Sequence, residues 1–314
     1  MSLITEKSEI IFLYESKYSI PNGDPFSGGQ RYDEETKKIL VSDVRIKRFI
    51  RDYLQNIGEL IYVANPDLDN KMTAGQRFKF LYDSRADKNI SPRDFAYSLI
   101  DVRLFGAVIP IQKDKSKKSS EGGEEANAFN VTGPVQFALL NPSLNAVNLL
   151  TNQRTSVFVS KEGNNQGSIS TRELVPYGLL QINGWINPYV ASKSKLMETD
   201  VNKMLSALWL GANDFHTSSK SQNSLLLIQL IYNQPNDKIY GTDKLISLKA
   251  QKKQEELRDL TDFELDFENL KAAAASPKVK EIRFYTEIDA LKDKITALGS
   301  DKIKPLDIQV PAGV

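Results

Sequence analysis

The chain has 314 residues, with 41 Lys and Arg against 40 Asp and Glu and a net charge of +1. This length admits one large domain or two ordinary ones, and the balanced charge argues against indiscriminate binding of nucleic acid while permitting a local basic face. There are no cysteines, which excludes disulfides and thiolate metal sites, and no apolar run approaches the roughly 20 residues of a membrane span. Because the N-terminus also lacks the pattern of a signal peptide, we expect a soluble, cytoplasmic protein.

The single histidine, His216, limits the chemistry further. A histidine-rich zinc site cannot be built within this chain, and most arrangements of a nucleophile with a histidine base have one possible base. Its neighbours are polar, in the stretch NDFHTSSKSQN, so we predict an exposed loop position for it. We expect neither a metal ion nor an organic cofactor.

The first part of the chain predicts a strand, a loop and a helix. Residues 9–14 (EIIFLY) form a short apolar, β-favouring run, and the loop 18–36 that follows is rich in Gly, Pro, Asn and Asp. Ser42 stands where an N-cap is expected, with Asp43 in the first turn. The apolar stripe of this helix has helical spacing and consists of Ile46, Phe49, Ile50, Tyr53, Leu54 and Ile57.

The middle of the chain alternates between helical, strand-like and low-complexity segments. Residues 60–100 are mixed and mainly helical in pattern, and residues 102–111 (VRLFGAVIPI) predict a strand with a glycine at a bulge or close approach. Residues 113–128 are polar and of low complexity, which predicts a mobile loop. Residues 131–140 are again strand-like, and residues 141–173 have the Asn-, Ser-, Gly- and Thr-rich composition of a projecting arm.

The last part predicts further strands and helices. Residues 177–186 and 224–232 read as strands, the second apolar enough to be central, and residues 286–298 as a helix. Residues 194–211 predict a helix that ends at Gly211. The order of elements favours an α+β sandwich with helices on one face of a mostly antiparallel sheet, of which the ferredoxin-like β-α-β-β-α-β arrangement is the simplest member.

The helix after Ser42 is strongly basic. Its polar arc carries four cations, Arg45, Lys47, Arg48 and Arg51. Only one acid, Asp52, shares this arc, so we do not expect i,i+4 partners to neutralise the cations. Three further cations precede the helix: Arg31, Lys37 and Lys38. Two interpretations remain open, a solvated helix face and a phosphate-binding surface.

Two loop carboxylates, Asp24 and Asp33, raise the question of metal-dependent chemistry. Paired acids beside bound RNA can hold a metal ion and cut the strand. The alternative is turn chemistry, because Asn22-Gly23-Asp24-Pro25 is a tight-turn sequence in which Asp bonds its own backbone. We favour the turn interpretation.

The aromatic residues and the acidic stretch complete the candidates. Five aromatic residues lie within apolar patterns and are predicted to be core: Phe105, Phe137, Tyr177, Trp185 and Trp209. The aromatic pattern of an RNA-recognition sheet is not evident, so we expect RNA to be held by its backbone and shape. Near the C-terminus, four acids fall within seven residues: Asp262, Glu264, Asp266 and Glu268. Opposite patches of this kind can hold a polyanion on one side and another copy of the chain on the other.

Five motifs in a fixed order resemble one family. They are PNGDP (21–25), Arg31, VSDVRIKRFIRDYL (41–54), DVRLFGA (101–107) and TGPVQF (132–137), and the stretches 177–188 and 218–232 also fit. This order resembles the backbone subunit of type I CRISPR–Cas surveillance complexes (Cascade), the Cas-seven family, with subtype I-B as the nearest branch. Two positions depart from the family pattern: Ile20 stands where Asn is frequent, and Ser219 where Arg is frequent. The second departure puts in doubt one basic contact near Lys220.

The resemblance implies a single hand-shaped domain spanning residues 1–314. An RRM-like palm would carry helical finger insertions and a thumb. The expected parts are a palm of about 5–58, 101–112, 130–140 and 174–250, a finger of about 59–100, a flexible loop at 113–128, a thumb of about 141–173 and a C-terminal extension at 251–314.

The resemblance also implies a function. Copies would stack head to tail along a guide crRNA, hold its backbone so that its bases can pair with target DNA, and cut nothing. The implied RNA contacts are Ser42, Lys47, Arg48 and Arg51 and, by looser correspondence, Arg31 and Arg45. Further expected partners are a small capping subunit, a large subunit and a guide-processing endonuclease. Two alternatives stay open: a type III-like metal-dependent ribonuclease that uses Asp24 and Asp33, and a protein-only scaffold.

Overall fold

The computed structural model of the chain describes residues 2–64, 72–110, 128–155 and 169–310. Across these ranges no helix combines the length and the apolar character that crossing a membrane requires. The expected flexible loop at 113–128 lies outside the described residues, apart from Ala128, which begins a strand. Residues 156–168, which belong to the expected thumb, also lie outside them.

The chain alternates strands and helices. The strands are β1 (Ser8–Ser19), β2 (Tyr32–Asp33), β3 (Lys38–Ser42), β4 (Gly106–Pro110), β5 (Ala128–Thr132), β6 (Val135–Phe137), β7 (Leu140–Pro142), β8 (Leu150–Thr155), β9 (Ile169–Ile186), β10 (Gln222–Tyr232), β11 (Ser247–Ala250), β12 (Phe263–Asp266), β13 (Val279–Tyr285) and β14 (Ile303–Pro305). The helices are α1 (Asp43–Asn56), α2 (Ala74–Asp83), α3 (Pro92–Ala96), α4 (Ile100–Phe105), α5 (Pro188–Ser194), α6 (Glu198–Asp214), α7 (Glu268–Ala275) and α8 (Asp289–Thr296).

The largest sheet has the strand order β14-β13-β10-β1-β9-β6, and β8 pairs with the first part of β9. β1 lies in the middle, where Phe12 faces Leu227 of β10 and Ile182 of β9. Among the described strands of this sheet, the β13–β14 pair is parallel and the other pairs are antiparallel. The predicted mixture of helices with a mostly antiparallel sheet is confirmed. The expectation of helices on one face is wrong, because α1 and α6 cover one face whereas α7 and α8 pack on the other.

Alternation along β1 supplies two cores, one on each face of the sheet. Ile10, Phe12 and Tyr14 point to the face that α1 and α6 cover, and Ile11 and Leu13 point to the other face. That second face is covered by the C-terminal part of the chain, through Leu245, Leu257, Phe263, Leu265, Leu270 and Ile295. Both faces of the central strands are therefore buried, which leaves no open aromatic platform there for nucleic-acid bases.

The predicted end of the α6 helix at Gly211 is wrong. The helix continues to Asp214, and Gly211 lies inside it against α1. A Cβ atom at this position would lie 2.5 Å from the Phe49 carbonyl oxygen. Glycine is therefore present because the two helices approach closely, and not because a turn ends the helix.

The predicted strand at 102–111 is wrong in its first part. Residues up to Phe105 form α4, and the strand β4 begins only at Gly106. Gly106 has φ +74°, and a Cβ there would lie 2.2 Å from the Val131 carbonyl oxygen, so the start of the β4–β5 pair accepts only glycine at this position. The tertiary contacts of α4, whose Val102, Leu104 and Phe105 are buried, override the β-favouring composition of residues 102–105.

A small separate core is formed by the predicted finger, residues 59–100, together with residues that follow it in the chain. Phe78 of α2 packs against the rings of Tyr62, Phe95 and Phe129. Leu99, Val102 and Ile109 complete this cluster, which is distinct from the two sheet cores. The predicted helical character of residues 60–100 is confirmed by α2 and α3.

Several predicted strands and helices are confirmed. Residues 9–14, 177–186 and 224–232 lie in β1, β9 and β10, and α8 lies within 286–298. His216 is exposed and follows the end of α6, as predicted. The prediction for Trp185 is wrong, because this side chain is 37% exposed, whereas the other four aromatic residues are buried.

Candidate nucleic-acid interface

The loop between β1 and β2 is closed by its own hydrogen bonds. Asp24 N–H donates to the Gly29 carbonyl at 2.7 Å, and Gly28 N–H donates to the Asp24 carbonyl at 2.8 Å. The Asp24 carboxylate accepts from Phe26 N–H at 3.2 Å, and Gly28 has φ +71°. These bonds define a short, rigid loop, as the Gly-, Asn- and Asp-rich sequence predicts.

Asn22 fastens this loop to the start of α1. Its side-chain oxygen accepts from Ser42 N–H at 2.7 Å and from Ser42 Oγ at 2.9 Å. Its own N–H donates to Gln30 Oε1, so the residue is held on both sides. Ser42 is the N-cap of α1 as predicted, but its hydroxyl bonds Asn22 and does not cap the helix. The loop and the helix N-terminus therefore form one unit.

The polar arc of α1 divides into two flanks, which corrects the expectation that its cations lack acidic partners. On one flank, Lys47 pairs with Asp43 at 2.9 Å and Arg51 with the buried Asp101 at 3.2 Å. These two cations are only 14% and 12% exposed, and both lie over the Phe105 ring. The expectation that these cations lack acidic partners is wrong for two reasons. Lys47 lies four residues after Asp43 and therefore on the same flank of the helix. This flank also faces α4, which supplies Asp101 to Arg51.

The other flank of α1 carries Arg45 and Arg48. Arg48 pairs with Asp52 at 2.6 Å but remains 66% exposed. The Arg45 guanidinium lies over two rings, Phe49 at 4.4 Å and Phe215 at 4.2 Å. Burial lowers the pKa of Arg45, and its Nε and Nη2 atoms are buried without a hydrogen-bond partner among the described residues. Among the described residues this guanidinium has no ion pair within 4 Å, although the charge of Asp52 acts against the lowering of its pKa.

Lys220 lies beside Arg45. From the sequence it was named only as the neighbour of a doubtful basic contact. Its ammonium group donates to the Ile20 carbonyl, directly before the loop. Burial, and then the charge of Arg45, lower the pKa of Lys220 to about 8. Two neighbouring cations without a carboxylate partner among the described residues make a site that favours an anion.

Two grooves flank the loop, and Gly23 lines both. The α1 groove has a volume of about 580 Å³ and a lining of both basic and apolar residues. The lining includes Arg31, Ser42, Asp43, Val44, Arg45, Arg48, Leu139 and Leu140. The glycine-loop groove, of about 680 Å³, is lined by Ser27, Gly28, Gly29, Arg172, Ser219 and Lys220, among others. The structure thus brings four of the six predicted contact residues together, Arg31, Ser42, Arg45 and Arg48, and places Lys47 and Arg51 on the opposite flank.

The loop carboxylates are turn-formers, as favoured from the sequence. Asp33 accepts from Glu35 N–H at 3.1 Å and from Thr36 Oγ1 at 2.6 Å, and the latter bond is the main cause of its lowered pKa. Asp24 bonds its own loop and lies 4.0 Å from Arg31. Within the described ranges, no three His, Asp or Glu side chains are grouped so that they could hold a metal ion.

The acidic stretch near the C-terminus is neutralised locally, which was not expected. Asp262 pairs with Lys252 and Asp266 with Lys249, both at 2.6 Å. Both carboxylates have lowered pKa values, chiefly because of these bonds. A patch whose charges are already paired gives little support to an electrostatic contact with a second copy.

Sequence reasoning missed the roles of Asn22, Lys220 and Arg172. The partner of Asn22 is Ser42, and Arg172 lies on β9, so neither role appears in a local pattern. The signals in the sequence were the position of Asn22 inside PNGDP and the doubtful basic contact near Lys220, both in segments already singled out. Contacts of this kind require the fold.

Comparisons with known proteins give the family. A family model described as CRISPR-associated protein Cas7 matches residues 6–268. A protein named CRISPR-associated protein Cas7 from Haloferax volcanii is 30% identical over 285 residues, which cover 84% of this chain and 81% of that protein.

Two solved chains also match this chain in the comparison of structures. One, from a CRISPR RNA-guided surveillance complex, has a TM-score of 0.49 and 15% identity and covers 94% of this chain and 93% of its own. The other, from such a complex in a pre-nicking state, has a TM-score of 0.49 and 13% identity and covers 93% of this chain and 99% of its own. The family resemblance rests on the family model and on the Haloferax protein, and on these two findings the chain belongs to the Cas7 family of CRISPR-associated proteins.

Proposed function

We propose that this Cas7-family protein is a guide-RNA-binding subunit of a CRISPR surveillance complex. In this proposal it holds the RNA backbone so that the bases can pair with target DNA, and it does not cut the RNA. The observation that carries the proposal is a pair of neighbouring cations, Arg45 in the α1 groove and Lys220 in the glycine-loop groove, which have no carboxylate ion pair among the described residues. RNA phosphates are anions that such a pair favours, and contacts to them need no particular base sequence.

We assign the phosphate contacts to four cations that line the grooves: Arg31, Arg45, Arg48 and Lys220. Ser42 then acts through Asn22 by fixing the loop against α1. For Lys47 and Arg51, the carboxylate partners and low exposure support a structural role, and their assignment as RNA contacts stays a prediction from the sequence.

We infer that the palm is RRM-like. β1, α1, β6, β9, α6 and β10 follow one another as β-α-β-β-α-β, and the strand order β10-β1-β9-β6 supports this assignment. The rest of the hand follows from it: a finger built on the small aromatic cluster, a thumb on the β8–β9 hairpin and a C-terminal extension over the palm. These boundaries are those expected from the sequence.

We further assign the protein to type I complexes and to subtype I-B on the strength of the ordered motifs. A cytoplasmic location is our proposal from the cysteine-free composition. The expected partners are crRNA, target DNA through the guide, further copies in a head-to-tail filament, a small capping subunit, a large subunit and a guide-processing endonuclease. A head-to-tail contact does not close on itself, so it generates a filament along the RNA. We propose no catalytic role, because the Asp24 and Asp33 carboxylates are engaged in turns.

The test compares two sets of variants in RNA binding over a range of salt concentrations. The groove variant carries Arg45→Gln, Arg48→Gln and Lys220→Gln, and the flank variant carries Lys47→Gln and Arg51→Gln. The groove variant is expected to bind more weakly and to lower the slope of log K against log salt by up to about 2, because each phosphate contact to a single strand contributes about 0.7. The flank variant is expected to retain the wild-type slope.

A charge-matched control carries Lys193→Gln, Lys238→Gln and Lys253→Gln, three exposed cations that line neither groove. The control is expected to bind as the wild type does. Equal losses in the groove variant and in the control would contradict the proposal, since binding would then follow net charge alone. If the slope fell in the flank variant and not in the groove variant, with both variants folded, the RNA contacts would instead be assigned to Lys47 and Arg51.

A further inference from the structure

Tyr18 has an unusual backbone conformation at the end of β1. Its φ is +43°, in the left-handed region that bulky side chains avoid, and its side chain is 60% exposed. A non-glycine residue in this region costs on the order of one to a few kcal/mol and persists where the surrounding structure fixes it. An exposed side chain that makes no core contact gives no packing reason for the conformation.

The segment around Tyr18 is held firmly on both sides. Lys17 N–H donates to the Ser221 carbonyl at 3.2 Å, and Ile20 N–H donates to the Ser219 carbonyl at 2.8 Å. The Ser16 and Ser19 hydroxyls lie 2.6 Å apart, and both bond the Ser221 carbonyl. The register with β9 places Pro176, which has no N–H, between the partners of Lys17 and Ser19. The flanking residues are thus fixed while the Tyr18 ring is directed into solvent.

The chain leads from this exposed residue directly into the glycine-loop groove. Ile20, two residues later, lines that groove, and so do Glu173 and Arg172 on the facing strand β9. Lys220 lines the same groove, lies beside Arg45 and donates a hydrogen bond to the Ile20 carbonyl. Within the described part of the chain, the Tyr18 ring has no hydrogen bond and no ring or cation contact. The ring is therefore free to contact a ligand bound in the groove.

We propose that Tyr18 stacks on a base of the RNA whose backbone lies in the glycine-loop groove. This inference rests on the proposed function and names a contact that neither the basic helix nor the family motifs assign. Stacking uses the face of a base and leaves its pairing edge free, so it suits a protein that must accept any guide sequence. It also tolerates every base, because each has an aromatic face.

The test uses the strained conformation as an internal control. Tyr18→Gly removes the ring and also relieves the positive φ, so the midpoint of urea unfolding is expected to stay the same or rise. Affinity for a fluorescein-labelled oligouridylate RNA is expected to fall about tenfold, within the range for one base stacked on one ring. Tyr18→Phe keeps the ring and is expected to retain the wild-type affinity. A purely structural Tyr18 would not give lower affinity together with equal or higher stability.

Lys195→Gly is the matched control, because Lys195 also has a positive φ, +60°, and lies at the end of α5 beside Asp94 of the predicted finger. It is expected to leave RNA affinity unchanged. An oligomer of the same length with abasic sites should bind wild type and Tyr18→Gly equally, since no base is present to stack.

Two outcomes overturn the inference and leave the proposed function intact. In the first, Tyr18→Gly binds RNA as tightly as the wild type does. In the second, Tyr18→Phe loses as much RNA affinity as Tyr18→Gly, which would assign the effect to the hydroxyl. If the wild-type protein binds neither RNA, the proposed function itself fails.

Discussion

Lys220 and Arg45 set how the interface responds to pH. Lys220 has a pKa of about 8, lowered from 10.5 by burial and by the neighbouring guanidinium, so its positive charge is lost as pH rises through 8. RNA affinity is therefore expected to fall between pH 7 and pH 9 by more than in a variant whose charge persists. Lys220→Arg supplies that variant, since guanidinium stays protonated. Fluorescence anisotropy at fixed salt measures the two profiles, and parallel profiles would contradict a role for Lys220 in binding.

The lowered pKa of Lys220 also affects the stability of the RNA-free protein, and this effect has the opposite dependence on pH. The unfolded chain binds the Lys220 proton up to about pH 10.5, whereas the folded chain releases it near pH 8. Between these values the unfolded state binds more protons, so the contribution of this group to the free energy of unfolding rises with pH. Stability and RNA affinity should thus move in opposite directions as Lys220 loses its proton.

At the scale of elements, α1 is fastened to the predicted finger through a buried carboxylate. Asp101 accepts from Tyr62 N–H and Val63 N–H, both at 2.9 Å, and from Arg51 Nε at 3.2 Å. Arg103 of the same helix makes two bonds to Asp200 of α6, at 2.9 and 2.7 Å. α4 therefore joins the finger segment to both helices that cover the palm sheet.

We expect Arg51→Ala to destabilise the protein by about 3 kcal/mol, because it leaves the buried Asp101 carboxylate without its cation. Arg48→Ala, which breaks an exposed pair with Asp52, should change stability by no more than about 1 kcal/mol. Urea unfolding of these variants, with an Arg51/Asp101 double-mutant cycle, measures the difference. If Arg51→Ala instead kept full stability and lost RNA affinity, Arg51 would be an RNA contact as the sequence predicted.

Local periodicity predicted most elements but not the contacts that set their exact form. The stripe of α1 and the apolar runs of β1, β9 and β10 are local signals, and the structure places each where the sequence did. The division of the α1 cations into two flanks depends on Asp101 and Phe215, which are brought to the helix by distant parts of the chain. For the same reason the sequence could single out the PNGDP loop but not the role of Lys220 beside it.

At the scale of the whole molecule, the C-terminal part of the chain is integral to the fold. It adds β13 and β14 to the sheet and buries the face that carries Leu13, Leu179 and Leu226. The sequence suggested an extension without a motif, because its apolar residues are spread over short elements. Their common target, the second face of the palm sheet, is visible only after the sheet has formed.

The final prediction separates this stabilising role from RNA binding. Leu257 is fully buried in the second core, so Leu257→Ala is expected to lower the free energy of unfolding by about 2–5 kcal/mol through lost burial and the cavity left behind. Leu60→Ala is the control, since Leu60 is more than half exposed and should change stability little. Both grooves are built from the β1–β2 loop, α1, β9 and the segment before β10, so the folded Leu257→Ala protein should bind RNA with the wild-type salt slope. If the fully folded Leu257→Ala protein instead had a reduced slope of log K against log salt, packing of the C-terminal segment would be required for the RNA contacts. Both cores of the palm would then contribute to RNA binding.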